Sequence, residues 1–340
     1  MSLAAGAPGG RVVDRRAFLA AVAAVLAAPL AAEPQQAGLA RVGLLSAGIR
    51  MPAGDAAGMP AFEQALRERG WVAGTNVVIA YRFAEEKFDR LPALAVELVR
   101  LDPHVIVTLS MAATRAAKDA TSTIPLVMWG VANPIGEGLI RSFARPGGNL
   151  TGYTGTTPFE TFPKLLQLLK EAVPRAHRIA YLWNPANPAA RPAVKIVQET
   201  ARTLGVELTV VGARVPEEFS PAFRTMVQAR VDALFIYGDV AFVSYQRQLA
   251  DLALKNRLPT ICHDQNHAEA GGLMSYSVSR RETVRRVAGY VDRILRGAKT
   301  ADLAVEQPTK FELLINLKTA EALGLTIPPS LFQRADQVIE

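Results

Sequence analysis

Short apolar runs alternate with amphipathic segments along most of this 340-residue chain. The apolar runs are rich in Val, Ile and Leu, as in parallel strands that are buried on both faces. The segments between them repeat apolar residues with the period of an α-helix. The predicted strands are residues 41–46, 77–81, 105–109, 126–129, 178–183, 207–211, 233–237 and 259–262. The predicted helices are residues 61–69, 91–101, 111–118, 162–172, 193–204, 221–229, 241–255 and 282–296.

A stretch rich in turn residues, 129–157, divides this alternation into two halves. Asn133-Pro134 interrupts the chain after an apolar run, and residues 145–149 (RPGGN) are a strong turn signal. Strands that alternate with helices form parallel sheets with helices on both faces. The sequence therefore predicts an α/β fold of two Rossmann-like lobes with parallel sheets, joined by a hinge and a cleft near this stretch.

The N-terminus has the features of an export signal. Arg15-Arg16 precede an apolar run, 19–32, that is too short to span a membrane as a helix. Paired arginines before such a run indicate the twin-arginine type, although a buried helix is the competing interpretation. We predict a signal peptide at residues 1–32, a flexible leader at 33–40, and a soluble periplasmic protein with no cysteine near the signal to carry a lipid anchor.

Charge and cysteine content limit the possible partners. The chain has a formal net charge of +7, and residues 1–32 hold three arginines and one aspartate, so export leaves 7 − 2 = +5. The densest basic group, in residues 280–286, is spaced like the exposed face of a helix and lacks interleaved aromatic residues. We therefore expect no nucleic-acid binding. Cys262 is the single cysteine, which excludes an internal disulfide, and its apolar surroundings predict a buried strand residue.

Candidate ligand-binding residues follow the predicted strands, because ligands of open parallel sheets bind beyond the carboxyl ends of the strands. The candidates are Ser46, Ser110, Met111, Ala112, Asn133, Asn184, Asp239 and Asp264. The Ser110 hydroxyl and the amides after it suit a ligand carboxylate, and Asp239 suits a ligand amine. For Ser110 and Asp239, a plain helix cap is the alternative role. For Trp129 and Trp183, core packing is favoured over a place in the ligand wall.

Motifs of common enzymes are missing from the sequence. It contains no Gly-x-Ser-x-Gly elbow, no His-Glu-x-x-His pair, no Gly-x-Gly-x-x-Gly after the first strand and no Walker A motif. The nearest cluster is His263-Asp264 with His267, which is incomplete as a metal or catalytic site. We predict a protein that is not an enzyme, with no catalytic residues, metal or cofactor. An exported α/β enzyme acting on a small molecule remains the alternative.

Several segments together resemble the ABC-transporter substrate-binding protein family that includes the tryptophan/tyrosine-binding type. They begin at Arg145 (RPGGNLTG), Trp183 (WNPANP), Glu269 (EAGGLMSY), Val305 (VEQPTKFELLIN) and Leu323 (LGLTIPPSLFQRAD). The resemblance implies a type I periplasmic-binding fold in which the chain crosses between the lobes more than once. Lobe 1 would hold residues 41–153 and about 277–299, and lobe 2 residues 154–276 and about 300–340.

The resemblance also implies a function. A monomer would capture a small ligand, an amino acid or similar small carboxylate, between its lobes and deliver it to the transmembrane subunits of an ABC permease. Sensing for another membrane partner is an alternative. Asn133 departs from the family, which often has an aspartate at this position, so the cleft loses a charge. A sugar-responsive repressor would need a DNA-binding helix-turn-helix where this chain has its signal region.

Overall fold

The computed structural model describes residues 38–48 and 59–340. The predicted signal peptide, residues 1–32, and most of the predicted leader lie outside these ranges. Over the part that is described, no helix combines the length and apolarity needed to cross a membrane.

The described chain forms two sheets, as the alternation of elements predicts. The first has five strands, all parallel, in the order β2-β1-β3-β4-β5. The second is a mixed sheet of seven strands in the order β12-β11-β10-β9-β8-β6-β7. Strands of the first sheet are β1 (Ala40–Ser46), β2 (Val77–Phe83), β3 (Val105–Leu109), β4 (Leu126–Trp129) and β5 (Leu150–Tyr153). Strands of the second are β6 (Arg178–Trp183), β7 (Glu207–Gly212), β8 (Ala233–Ile236), β9 (Thr260–Cys262), β10 (Met274–Val278), β11 (Phe311–Asn316) and β12 (Gln337–Ile339).

Helices cover both faces of each sheet. Helices of the first sheet are α1 (Met59–Arg67), α2 (Leu91–Arg100), α3 (Met111–Ala120) and α10 (Arg280–Leu295). Those of the second include α4 (Phe162–Ala172), α5 (Arg191–Thr203), α6 (Phe219–Gln228) and α8 (Gln246–Lys255). The short helices are α7 (Val240–Val243), α9 (Gln265–Glu269), α11 (Leu317–Ala322) and α12 (Pro329–Phe332).

The strands are apolar on both faces because each sheet lies between two hydrophobic cores. In β6, Ile179 and Tyr181 pack into the core under α4 and α5. Ala180 and Leu182, which alternate with them, pack into the core under α6 and α8. This arrangement explains why the strands read as continuous apolar runs in the sequence.

The chain passes between the sheets three times within the described residues: after β5, after β10 and before β11. Helix α10 follows a strand of the second sheet but packs on the first, where Val287 and Val291 share a core with Phe62 of α1. Residues 300–306 also stay on the first sheet, since Glu306 N donates to Gly152 O at 3.0 Å. The lobe boundaries remain a prediction, and these contacts favour a boundary after residue 306 rather than near 300.

The structure differs from the sequence-based elements in several places. The single helix predicted at 241–255 is two helices, α7 and α8, because Tyr245 leaves helical geometry at φ −117° and ψ 16°. Strands β5, β10, β11 and β12 and the short helices α9, α11 and α12 were not predicted. The expectation of purely parallel sheets is wrong at one pair, since β11 runs antiparallel to β10. The prediction for Cys262 is confirmed, because the thiol is buried in β9.

Candidate ligand-binding cleft

A cavity of about 330 Å³ lies where the carboxyl ends of the strands in the two sheets face each other. This size is within the range of about 300–1,000 Å³ that is usual for small-molecule sites. Its large apolar lining residues are Phe83, Phe88, Leu109, Trp129, Phe159 and Tyr237. The aromatic side chains come from both sheets, so a ligand between them would contact both halves of the molecule.

Seven of the eight residues predicted from the sequence line this cavity: Ser46, Ser110, Met111, Ala112, Asn133, Asp239 and Asp264. Asn184 is not among the lining residues and is only 1% exposed. Its Nδ2 donates to Asp239 Oδ1 at 3.1 Å, so it supports a lining residue from behind. Asn187, which the sequence analysis did not single out, lines the cavity instead.

Ser110 begins helix α3 at the edge of the cavity. Its Oγ accepts a hydrogen bond from Ala113 N at 3.3 Å, so the helix-cap interpretation is correct. The first backbone bond of α3 runs from Thr114 N to Ser110 O. The amides of Met111 and Ala112 precede it and therefore have no acceptor inside the helix. Because both residues line the cavity, the helix presents amide donors and its positive dipole end to a ligand.

Asp239 is a fully buried carboxylate in the opposite wall. It accepts hydrogen bonds from Asn187 Nδ2 at 2.6 Å, Asn184 Nδ2 at 3.1 Å and Ala241 N at 3.0 Å, the last as the cap of α7. Burial raises the pKa of Asp239, and the three hydrogen bonds oppose that rise. No cation among residues 38–48 and 59–340 lowers this pKa. A positively charged ligand group would supply the missing countercharge.

Asp264, Ser277 and Arg280 form a second polar group in the same cavity. Asp264 Oδ1 caps α9 by accepting from Asn266 N at 2.9 Å. Burial raises the pKa of Asp264, while the nearby Arg280 lowers it. Arg280 itself is engaged with Asn266 and with Glu269, whose carboxylate is 3.1 Å away. Ser277 is not among the residues predicted from the sequence, although its spacing of two from Ser275 indicates that both face one side of a strand.

Glu86 lies near two other carboxylates, Asp239 and Glu217. It adopts a left-handed backbone at φ 65°, and its N–H donates to Ala47 O at 2.9 Å. Its Oε1 is buried and has no hydrogen-bond partner among the residues described. Burial first, then Asp239 and Glu217, raise the pKa of Glu86 to about 7.

The histidines near the cleft serve the fold. Gly238 N donates to His263 Nε2 at 2.9 Å, which places the proton of the neutral ring on Nδ1. Burial lowers the pKa of His263 to about 4, so the ring is neutral at pH 7. His267 is bonded between Gln246 and Thr260, and burial also lowers its pKa to about 4. Within residues 38–48 and 59–340, no group of three or more His, Cys, Asp or Glu side chains is arranged to hold a metal ion.

The turn-rich stretch 129–157, which the sequence predicted to lie near a cleft, forms part of the cavity wall. Trp129 lines the cavity and also packs on Phe62, with ring centroids 6.1 Å apart. Trp183 packs against the core of the second sheet. Gly155, at φ 56°, lines the cavity where a Cβ would come within 2.7 Å of Thr283 Cγ2. A side chain at this position would therefore require Gly155 or Thr283 to move.

Two sheets with facing carboxyl ends, joined by several crossings, define a type I periplasmic-binding-protein-like α/β fold. The fold class predicted from the sequence is therefore confirmed. A solved Vibrio cholerae conserved domain protein is 25% identical, with a TM-score of 0.79 over 88% of this chain and 99% of that one. A Streptococcus pneumonia ABC domain solved in complex with L-Trp is 23% identical, with a TM-score of 0.77 over 89% of this chain and all of that one.

The chain belongs to the ABC transporter substrate binding protein family, whose family model matches residues 49–339. It is also similar to a tyrosine-binding protein of Clostridioides difficile. The two are 25% identical over 264 residues, which cover 78% of this chain and 75% of the relative. The resemblance stated from the sequence motifs is thus confirmed.

Proposed function

We propose that this protein is an exported solute-binding protein that captures an amino acid or a similar small carboxylate and delivers it to an ABC permease. The observation that carries the proposal is the buried carboxylate of Asp239, which has no countercharge among the described residues and faces the same cavity as the start of α3. A buried charge without a partner is costly, so a cationic ligand group at Asp239 would stabilise the protein. The α3 amides would donate hydrogen bonds to the ligand carboxylate.

Aromatic amino acids are the ligands that the cleft favours. Aromatic side chains line it from both sheets, including Phe83, Trp129 and Phe159. The relatives named above, a tyrosine-binding protein and a domain bound to L-Trp, support this class. Asn133, which accepts from Gly136 N at 3.0 Å, adds no charge. Of the acidic residues described in the lining, Glu137 pairs with Arg115 and Asp264 lies near Arg280, so Asp239 is the carboxylate that suits an ammonium.

Closure of two lobes would couple binding to transport. A ligand held by Ser110 on one side and Asp239 on the other contacts both sides fully only in a closed form, so its binding shifts the population towards closure. The permease would then recognise the closed shape. In this proposal the protein is a periplasmic monomer that needs no cofactor, catalyses no reaction and binds no nucleic acid. The chain crossings near residues 154, 279 and 307 serve as its hinge.

The test is a thermal-shift screen of the purified protein against the amino acids and small carboxylates. The protein is first unfolded and refolded to remove any bound ligand. A ligand at ~100 times its dissociation constant adds about 2.7 kcal/mol of stability. We expect an amino acid to give this shift, and Asp239→Asn to abolish it, since Asn keeps the helix cap but not the charge.

A surface variant provides the matched control. Asp251→Asn removes the same charge from an exposed carboxylate that pairs with Arg247 at 3.1 Å. It should leave the ligand-induced shift unchanged. A shift that survives Asp239→Asn would refute the assigned role of Asp239, and the absence of any shift across the library would refute the binding function.

A further inference from the structure

Strands β9 and β10 form one wall of the cleft, and this wall contains polar groups. An amino-acid head group bound at Ser110 and Asp239 would not contact these groups. Asp264 follows β9, and Ser277 lies in β10. Both line the same cavity as Asp239. Gly238 shows how close the strand ends are, because a Cβ on it would come 3.0 Å from Asp264 Cβ.

Ser277 has a buried hydroxyl without a partner. The residue is 2% exposed, and its Oγ makes no hydrogen bond with any described residue. The parallel register pairs Met274 with Ile261 and Ser275 with Cys262, so continuing it by two residues places Ser277 beside Asp264. Buried polar groups in native proteins nearly always have a partner, and the cavity that Ser277 lines gives a ligand access to this hydroxyl.

Asp264 has one oxygen committed to the fold and one available. Oδ1 accepts from Asn266 N, while no described residue donates a side-chain hydrogen bond to Oδ2. Arg280 is directed to Glu269 and Asn266, yet its charge still acts on Asp264. That positive charge disfavours a second cation at this point and favours a neutral donor.

We propose that Asp264 and Ser277 form a second subsite, which binds a hydroxyl group on the side chain of the ligand. The ligand O–H donates to Asp264 Oδ2 and accepts from the hydroxyl of Ser277. This inference rests on the proposed function and narrows the ligand class to an aromatic amino acid with a ring hydroxyl. The apolar surfaces of Phe83, Trp129 and Phe159 provide the wall for the ring between the two polar ends.

Isothermal titration with L-tyrosine and L-phenylalanine tests the inference, because the two differ by this hydroxyl alone. We expect the wild-type protein to bind tyrosine about 10- to 100-fold more tightly, since phenylalanine would leave buried polar groups unpaired. Ser277→Ala should reduce the affinity for tyrosine towards that for phenylalanine and leave phenylalanine binding unchanged.

Ser275→Ala is the matched control. Ser275 lies in the same strand, is fully buried and also has an unpartnered Oγ among the described residues, but it does not line the cavity. Its replacement should leave both affinities unchanged. An equal loss in the two serine variants would assign the effect to strand stability and overturn the subsite.

The comparison of the two ligands decides the question even if Ser277→Ala fails to fold. Equal binding of tyrosine and phenylalanine would overturn the subsite and leave the binding function standing, as expected if a water molecule satisfies Ser277. No binding of any amino acid would overturn both proposals.

Discussion

Glu86 should make the stability of this protein depend on pH. Its carboxyl has an ordinary pKa of 4.5, which burial, Asp239 and Glu217 raise to about 7. Below pH 4.5 the group is protonated in both the folded and the unfolded state, so it contributes no penalty. Between 4.5 and 7 the unfolded chain loses the proton while the folded protein keeps it, and folding becomes progressively less favourable as pH rises. Above about 7 the penalty is complete.

The size of the effect follows from this pKa. A rise from 4.5 to about 7 corresponds to an upper limit of roughly 3 kcal/mol. Partial exposure of Glu86 to solvent reduces this to about 1 kcal/mol. Glu86→Gln removes the ionisation and should increase the free energy of unfolding by about that amount at pH 8, and by much less at pH 4.5.

Urea denaturation at pH 4.5, 6 and 8 measures this difference. Glu85→Gln is the control, because Glu85 is the exposed neighbour that pairs with Arg90 at 2.5 Å. The Glu85→Gln protein should show no extra stability over the wild type at pH 8 compared with pH 4.5. A Glu86→Gln protein whose stability follows the wild-type pH profile would refute the account of Glu86.

Three further predictions concern the cleft, the core and export. Asn184→Ala should lower the free energy of unfolding by about 1–3 kcal/mol and weaken ligand binding, because buried Asp239 loses one hydrogen-bond donor. Urea denaturation measures the first effect and titration the second. An unchanged affinity would contradict the supporting role of Asn184. Phe162→Ala should lower the free energy of unfolding, measured by urea denaturation, by about 3–5 kcal/mol, because this fully buried ring packs within one aromatic cluster. A loss below about 1 kcal/mol would contradict that packing. Replacing Arg15 and Arg16 by Lys should retain the protein in the cytoplasm on cell fractionation, and unimpaired export would exclude the twin-arginine route.

Most strands and helices could be predicted because each sheet is covered on both faces, which produces uniform apolar runs such as 105–109. The rule that ligands bind beyond the carboxyl ends of strands placed Ser110 and Asp239 at the cavity. It failed for Asn184, because the residue at a strand end can point to a neighbouring side chain as readily as to the cavity.

The features that could not be predicted from local sequence patterns depend on contacts between residues that are distant in the sequence. Strand β10 is short and half polar, and its place between β9 and β11 comes from pairing with both. The role of Ser277 arises from that pairing. Burial is the largest cause of the raised pKa of Glu86, and Asp239, which is far away in the chain, adds to it. The break at Tyr245 accompanies packing of its ring on Phe219, with centroids 6.0 Å apart.

The central claim is that the cleft binds an amino acid through a salt bridge between its ammonium and Asp239. Titration of the purified protein with the tightest-binding amino acid and with its deamino analogue tests this claim most directly. The account predicts that the analogue binds at least about 30-fold more weakly, because breaking a buried charge pair costs roughly 2–5 kcal/mol. Equal affinity for the two compounds would contradict it.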